Sequence, residues 1–364
     1  MKKTLQITMA FMVAVSLLVG CGPAATATVA PPAPTTSVPQ ATMPPQVVTQ
    51  MEVVQATSVP ITHHFKFAWI MPDMFNPFWV YMRQGAEKAA VELKAQGIQV
   101  DIQQMAPIDT FNTAEQVSLF ENAIQMKVDG IGICVIDQTA VIDQTNNAVA
   151  AGIPVAALST DIPNSNRTIY SGVDNVLEAQ KIAQMLIDAN GGKGNYIILS
   201  GIPGNFISDQ RDQGFEAAIA ANPGTKLLEK QPANFNRATG MTVMENMMQK
   251  YGPGQIQGVF NVNDETALGA MAAVQAAGRG NEIKIVGIDG NQDAANAIKA
   301  GTMLATGADD PWMKGYQAVY ELVYSLTKDP KFTATPTINV TYVTKDNVDQ
   351  YLTKFDEYAA YYKP

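Results

Sequence analysis

Phe65-Lys66-Phe67-Ala68-Trp69-Ile70-Met71 is a short apolar run, and beyond it Phe78, Met82, Ala86, Ala89, Ala90 and Leu93 recur at steps of three and four as far as Gly97. The run has the length of a buried strand, and the spacing after it places one apolar face along a helix. A strand followed by a crossover helix is the unit of a parallel sheet. That unit repeats. Strands are predicted over residues 100–105, 130–135 and 155–158, with helices over 113–126 and 139–151, which completes a unit of four strands. A second series places strands at 195–199, 225–230, 258–261 and 284–288, with helices near 206–221, 238–250 and 265–277. Further helices are predicted over 175–189 and 311–326. The predicted fold is α/β, with two similar doubly wound, Rossmann-like parallel-sheet lobes.

Outside this pattern lies the start of the chain. Lys2-Lys3, an apolar run from Met9 to Val19 and Leu18-Val19-Gly20-Cys21 have the make-up of a secretory signal over residues 1–20. The last four residues resemble a bacterial lipobox, and that resemblance implies diacylglyceryl attachment to Cys21 after cleavage behind Gly20. Residues 21–64 read as the lipidated cysteine and an Ala/Thr/Pro-rich linker with Glu52 as its one charge, too poor in apolar periodicity to bury a core. His63 and His64, the only histidines, fall at its end as a solvated pair with poor spacing for a metal.

The 300 or so residues that follow suffice for two domains of ordinary size. The formal net charge of the 364-residue chain is −9, which argues against a nucleic-acid partner, because phosphate binding needs a basic face. No later stretch approaches the roughly 20 apolar residues of a membrane span. Met241, Met244, Met247 and Met248 have helical spacing and read as core packing, and Cys134 in its apolar strand reads as a small hydrophobe. Catalysis finds little footing: no histidine follows His64, and no nucleophile elbow, zinc-protease pair or Walker loop occurs. Asp309-Asp310 offers a carboxylate pair, for which a hinge or capping role is the simpler reading. No cofactor and no metal is expected.

Polar residues collect where the predicted strands end. Asp73 and Asn76 follow the first strand, Ser159, Thr160 and Asp161 the fourth, Asn205 and Arg211 the fifth, Asn263 and Asp264 the strand at 258–261, and Asp289 the strand at 284–288. This edge is the ligand crevice of an open parallel sheet. Helix capping accounts for any one of these residues as well as ligand binding does, whereas five strand ends together favour a site. Amide groups, acceptors and one guanidinium, with Phe78, Trp79 and Phe235 as flat apolar plates, suit a small polyhydroxylated ligand.

Asn76-Pro77-Phe78-Trp79, Gly152-Ile153-Pro154-Val155, Gly172-Val173-Asp174-Asn175, Gly201-Ile202-Pro203-Gly204, Arg211-Asp212-Gln213-Gly214-Phe215, Gln231-Pro232-Ala233-Asn234-Phe235, Asn263-Asp264-Glu265-Thr266 and Val286-Gly287-Ile288-Asp289-Gly290 appear in order along the chain. With this set the chain resembles the type I periplasmic solute-binding proteins of the ribose-binding class of ABC transporters. The resemblance implies two lobes, 65–173 with 310–337 and 174–309 with 338–364, joined by crossovers near Asp174, Asp309 and Thr337. It implies ligand contacts from Asn76, Phe78 and Trp79, from Ser159 and Asp161, and from Arg211, Phe235, Asn263 and Asp289, with Asp309 at the hinge. Ser159 stands where the family often has an acidic residue, Asp161 matches a subgroup with an Asp-Ser-Asp pattern, and Asp309 replaces a frequent Gln. These departures leave the ligand open among pentoses, hexoses, polyols and related cyclic compounds.

The expected function is that of an extracytoplasmic, lipid-anchored monomer, not an enzyme, that captures a monosaccharide and presents it to an ABC transporter permease. The alternative is a sensory module docking on a chemoreceptor or sensor kinase. A repressor-type ligand domain shares the fold but needs a basic headpiece, which the lipobox and uncharged linker replace. Arg211→Ala is expected to abolish binding and leave the unliganded fold intact.

Overall fold

A computed structural model describes residues 59–333 and 338–361. The signal segment, Cys21 and most of the linker lie outside the described residues, as does Thr337. His63 and His64, expected in the linker, instead open the first strand, β1 (His63–Ile70), with His64 Nε2 2.6 Å from Asp101 Oδ2. The strand thus starts two residues before the alternating apolar residues, which begin only at Phe65.

From Phe67 onward β1 alternates between two cores. Phe67, Trp69 and Met71 enter one apolar cluster, while Ala68 and Ile70 enter another on the opposite face. The first cluster is completed by α1 (Pro77–Ala95), and next come β2 (Ile98–Met105), α2 (Thr113–Gln125), β3 (Gly130–Ile133), α3 (Ile142–Ala150), β4 (Val155–Leu158) and β5 (Ile169–Ser171). Gly132 lies in register with Trp69, and a Cβ there would come within 2.3 Å of the indole, so the glycine is what admits the ring. The strands form a parallel five-stranded sheet in the order β2-β1-β3-β4-β5.

The chain then builds α4 (Asn175–Ala189), β6 (Lys193–Ser200), α5 (Phe206–Ala221), β7 (Gly224–Pro232), α6 (Arg237–Lys250), β8 (Gly258–Asn261), α7 (Asp264–Ala276), β9 (Lys284–Ile288), α8 (Gln292–Ala300) and β10 (Ala305–Ala308). It passes back through α9 (Pro311–Thr327) and a 3₁₀ turn at Pro330–Phe332, and ends with β11 (Thr341–Val343) and α10 (Val348–Tyr361). The second sheet runs β11-β10-β9-β8-β6-β7, parallel except for the β10–β11 pair. Both sheets reverse their strand order beside the first strand of their series, the topological switch point at which ligands bind in such folds.

Helix α9 returns to the first sheet: Ala318, Val319, Leu322 and Val323 share the cluster of Phe67 and Trp69. Helix α10 stays with the second, where Tyr351 and Phe355 join the cluster of Met244 and Met247. We call these units lobe 1 and lobe 2; the chain crosses between them after β5, after β10 and between Phe332 and Thr341. The expected four-strand units are thus five- and six-stranded. The strands not read from sequence, β5, β10 and β11, are three or four residues long, and Ala305-Thr306-Gly307-Ala308 lacks the β-branched or aromatic run that marks a strand.

In lobe 1, α1 and α9 meet through their backbones. A Cβ on Gly85 would lie 1.9 Å from the Trp312 carbonyl oxygen, and one on Gly315 1.9 Å from that of Met82. Two helices cannot separate locally to admit a methyl group without disturbing the cluster beneath. Gly315→Ala is therefore expected to cost about 1–3 kcal/mol, read as a lower midpoint in chemical unfolding; an unchanged midpoint would contradict this contact.

Candidate functional site

Helix starts supply much of the site. Asn76, Asn205 and Asn263 cap α1, α5 and α7, their Oδ1 atoms accepting from the amides of Phe78 (3.0 Å), Ser208 (3.2 Å) and Thr266 (2.9 Å). Capping and lining are here the same act. Fixing Oδ1 in the helix turn orients each side chain, and all three asparagines line a cavity of about 550 Å³, its mouth included. Asn205 Nδ2 donates across the cleft to the Ile136 carbonyl of lobe 1 at 3.2 Å.

The cavity also brings together Phe78, Trp79, Ser159, Arg211, Phe235 and Asp289. Of the predicted contacts only Asp161 and Asp309 are absent from its lining. Asp161 turns away into an ion pair with Arg167, whose Nη2 donates to Oδ2 at 2.9 Å, and the guanidinium lies 5.3 Å from the centroid of the Tyr170 ring. Asp309 is buried behind the wall, where Lys314 Nζ donates to its Oδ2. Asp73 is likewise structural: its Oδ1 accepts from the amides of Phe75 and Asn76 at 3.0 and 2.8 Å and so shapes the entry to α1.

Several lining residues had no readable signal. Phe111 sits in the loop before α2, outside any periodic pattern, and stacks on Phe235 of lobe 2 with centroids 5.8 Å apart at 19°. This pair shuts one side of the cleft. Cys134 and Val135 line the cavity past the end of β3, so the cysteine is a wall residue as well as a small hydrophobe. Phe111, Ser159, Phe235 and Asp289 all have positive φ, at 63°, 59°, 55° and 132°. Four strained backbones around one cavity are what a pre-organised site looks like.

Behind this lining lies a buried ionic network. Arg211 Nη1 donates to the Val262 carbonyl at 2.8 Å and lies 3.4 Å from Asp289 Oδ1. Its Nη2 is 4.0 Å from both Glu178 Oε2 and Asp309 Oδ2. Lys314 also donates to Ser159 Oγ at 2.8 Å. The lysine could have been noticed in sequence, since it occupies the same helical face as Ala318. Burial opposes the Arg211 cation, but Asp289, Glu178 and Asp309 outweigh it and raise its pKa. Burial, and then the charge of Asp309, pushes Glu178 up to about 8; burial pushes Asp264 up to about 7 against hydrogen bonds from Thr306 and the backbone. Asp289 is also raised, by burial above all.

A carboxyl group raised in the fold adds stability below its unfolded pKa and loses it as pH climbs through the folded value. Glu178 should therefore make the unliganded protein less stable between about pH 4.5 and 8, at about 1.4 kcal/mol per pH unit where folding retains one extra proton. Melting curves across that window should show the fall, and Glu178→Gln should flatten it; an unaltered slope in the variant would contradict the assignment.

Among the described residues, no group of three or more His, Cys, Asp or Glu is arranged to hold a metal ion. The arrangement offers directional hydrogen bonds and aromatic plates between two hinged lobes.

Comparisons with known proteins agree with this fold. Residues 67–330 match the family described as the periplasmic binding protein domain. The ribose import binding protein of Bacillus subtilis is 34% identical over 241 residues, 66% of this chain and 74% of that protein. The xylitol-binding protein of Mycolicibacterium smegmatis is 31% identical over 269 residues, 74% of this chain and 75% of that one. Among solved structures, a periplasmic solute-binding protein of an ABC transporter from Actinobacillus succinogenes, holding D-allose, superposes with a TM-score of 0.71 at 30% identity, covering 78% of this chain and 99% of that one.

Proposed function

The chain belongs to the periplasmic binding protein family, in the sugar-binding class that serves ABC transporters, and from that premise we propose that it captures a monosaccharide or related polyol between its lobes and delivers it to an ABC importer. Its relatives are binding proteins, not enzymes, and the family works outside the cytoplasm. The observation that carries the reading is the convergence of Arg211, Asp289, Asn263 and Asn76 with Phe78, Trp79 and Phe235 on one interlobe cavity. Hydroxyl groups both donate and accept, which suits a guanidinium beside a carboxylate, and the C–H faces of a sugar ring suit aromatic plates. Asp309 would act through Arg211 and Lys314 as a hinge residue, and Asp161 would support its loop through Arg167.

Lobes joined by three crossovers can open and close about them, and a ligand that touches both walls favours the closed state by its extra contacts there. The lipobox at Leu18-Val19-Gly20-Cys21 supports a lipid anchor that holds the protein at the outer face of the membrane beside its permease.

A thermal-shift screen against pentoses, hexoses, polyols, nucleosides and amino acids tests the reading. A sugar at a hundred times its dissociation constant adds about 2.7 kcal/mol, or roughly 5–10 °C for domains of this size. A flat response to every sugar, with a shift from an amino acid or nucleoside, would leave the fold intact and overturn the ligand class.

A further inference from the structure

The two walls of the cavity differ in chemistry, and the difference narrows the ligand, given the sugar-capture reading above. Its charged groups, Arg211 and Asp289, both come from lobe 2. The lobe 1 wall is built from Phe78, Trp79, Phe111, Cys134 and Val135. Its polar members are Asn76, Ser159 and Thr160, and the first two are already partly committed. Asn76 Oδ1 caps α1, and Ser159 Oγ accepts from Lys314 at 2.8 Å. Past the end of β3 the chain lines the cavity with a thiol and an isopropyl group. Burial pushes that thiol up to about 12, so it meets a ligand as a neutral, weak hydrogen-bonding partner.

We propose that the site selects a deoxy sugar, whose hydroxyls face Arg211, Asp289 and Asn263 and whose edge toward Cys134 and Val135 carries hydrogen or methyl in place of a hydroxyl. A hydroxyl on that edge would lose water and find carbon and sulfur. A methyl or methylene group would fill the same space without that loss.

Titration calorimetry on the intact protein tests this with matched pairs: L-fucose and L-galactose, L-rhamnose and L-mannose, 2-deoxy-D-ribose and D-ribose, with D-allose and myo-inositol in the same series. The deoxy member of at least one pair should bind roughly ten- to a hundredfold more tightly than its parent, the range over which an apolar pocket rejects an added hydroxyl. Parents or polyols that bind as well as or better than every deoxy sugar would overturn the proposal and leave the sugar reading standing. Binding by no member of the series would overturn both. Cys134→Ser, which puts a hydroxyl on the wall at nearly constant size, should shrink the preference; an unchanged ratio in a variant that melts like the parent would overturn the placement of the deoxy edge.

Discussion

Arg211→Ala is expected to abolish sugar-induced stabilisation and to weaken the unliganded protein at the same time. Arg211 is 4% exposed and faces Asp289, Glu178 and Asp309 together. A hydrogen bond from a charged donor such as this guanidinium contributes roughly 1.5–3 kcal/mol, a loss of about tenfold or beyond in affinity. The sequence alone suggests an intact unliganded fold, because it shows a ligand contact and hides the network behind it. With the guanidinium gone, Lys314 is the cation that remains beside the three buried carboxyl groups among the described residues. The folded pKa values of Glu178 and Asp289, which Arg211 holds down, rise further, so the penalty should grow as pH rises above the unfolded carboxyl range and shrink toward pH 5. Titration calorimetry and melting curves at pH 5 and 8 check both halves. Wild-type affinity in the variant would remove Arg211 from the site.

Lys314→Met should have the largest effect on stability of any single substitution considered. The ammonium is wholly buried, donates to Asp309 and Ser159, and sits 5.3 Å from the Phe78 ring centroid. Removing one member of a buried pair leaves the other charge uncompensated, at about 3–5 kcal/mol, or roughly 6–20 °C in melting temperature. Asp309 Oδ1 already lacks a hydrogen-bond partner, which leaves the more distant Arg211 guanidinium, 4.0 Å from Oδ2, to support the carboxylate. Adding Asp309→Asn should recover much of the loss, because the two residues interact directly. A loss below about 1 kcal/mol in the single variant would contradict the pairing.

The same residues mark how far the sequence could be read. The strand at Phe65–Met71 and the helix through Met82, Ala86 and Leu93 were legible because burial on one face imposes a period on the sequence. Strand β10 imposes none: it is four residues long and buried throughout, with alanine and glycine where a pattern would be. At the strand ends, capping and cavity lining are not alternatives: Asn76 and Asn263 do both at once. The places of Asp161 and Asp309 in the chain suggest ligand contacts, but their direction is set by the side chains of Arg167 and Lys314, which no local pattern shows. Phe111 carries no local pattern, because what positions it is a ring on the other lobe.

The most direct test of the central claim is a crystal structure of the protein with the sugar that shifts its melting temperature most. The account predicts the sugar between the lobes, with hydroxyls on Arg211 and Asp289 and ring carbons against Phe78, Trp79 or Phe235. A sugar seated elsewhere, or one in this cavity that leaves Arg211 and Asp289 untouched, would contradict it.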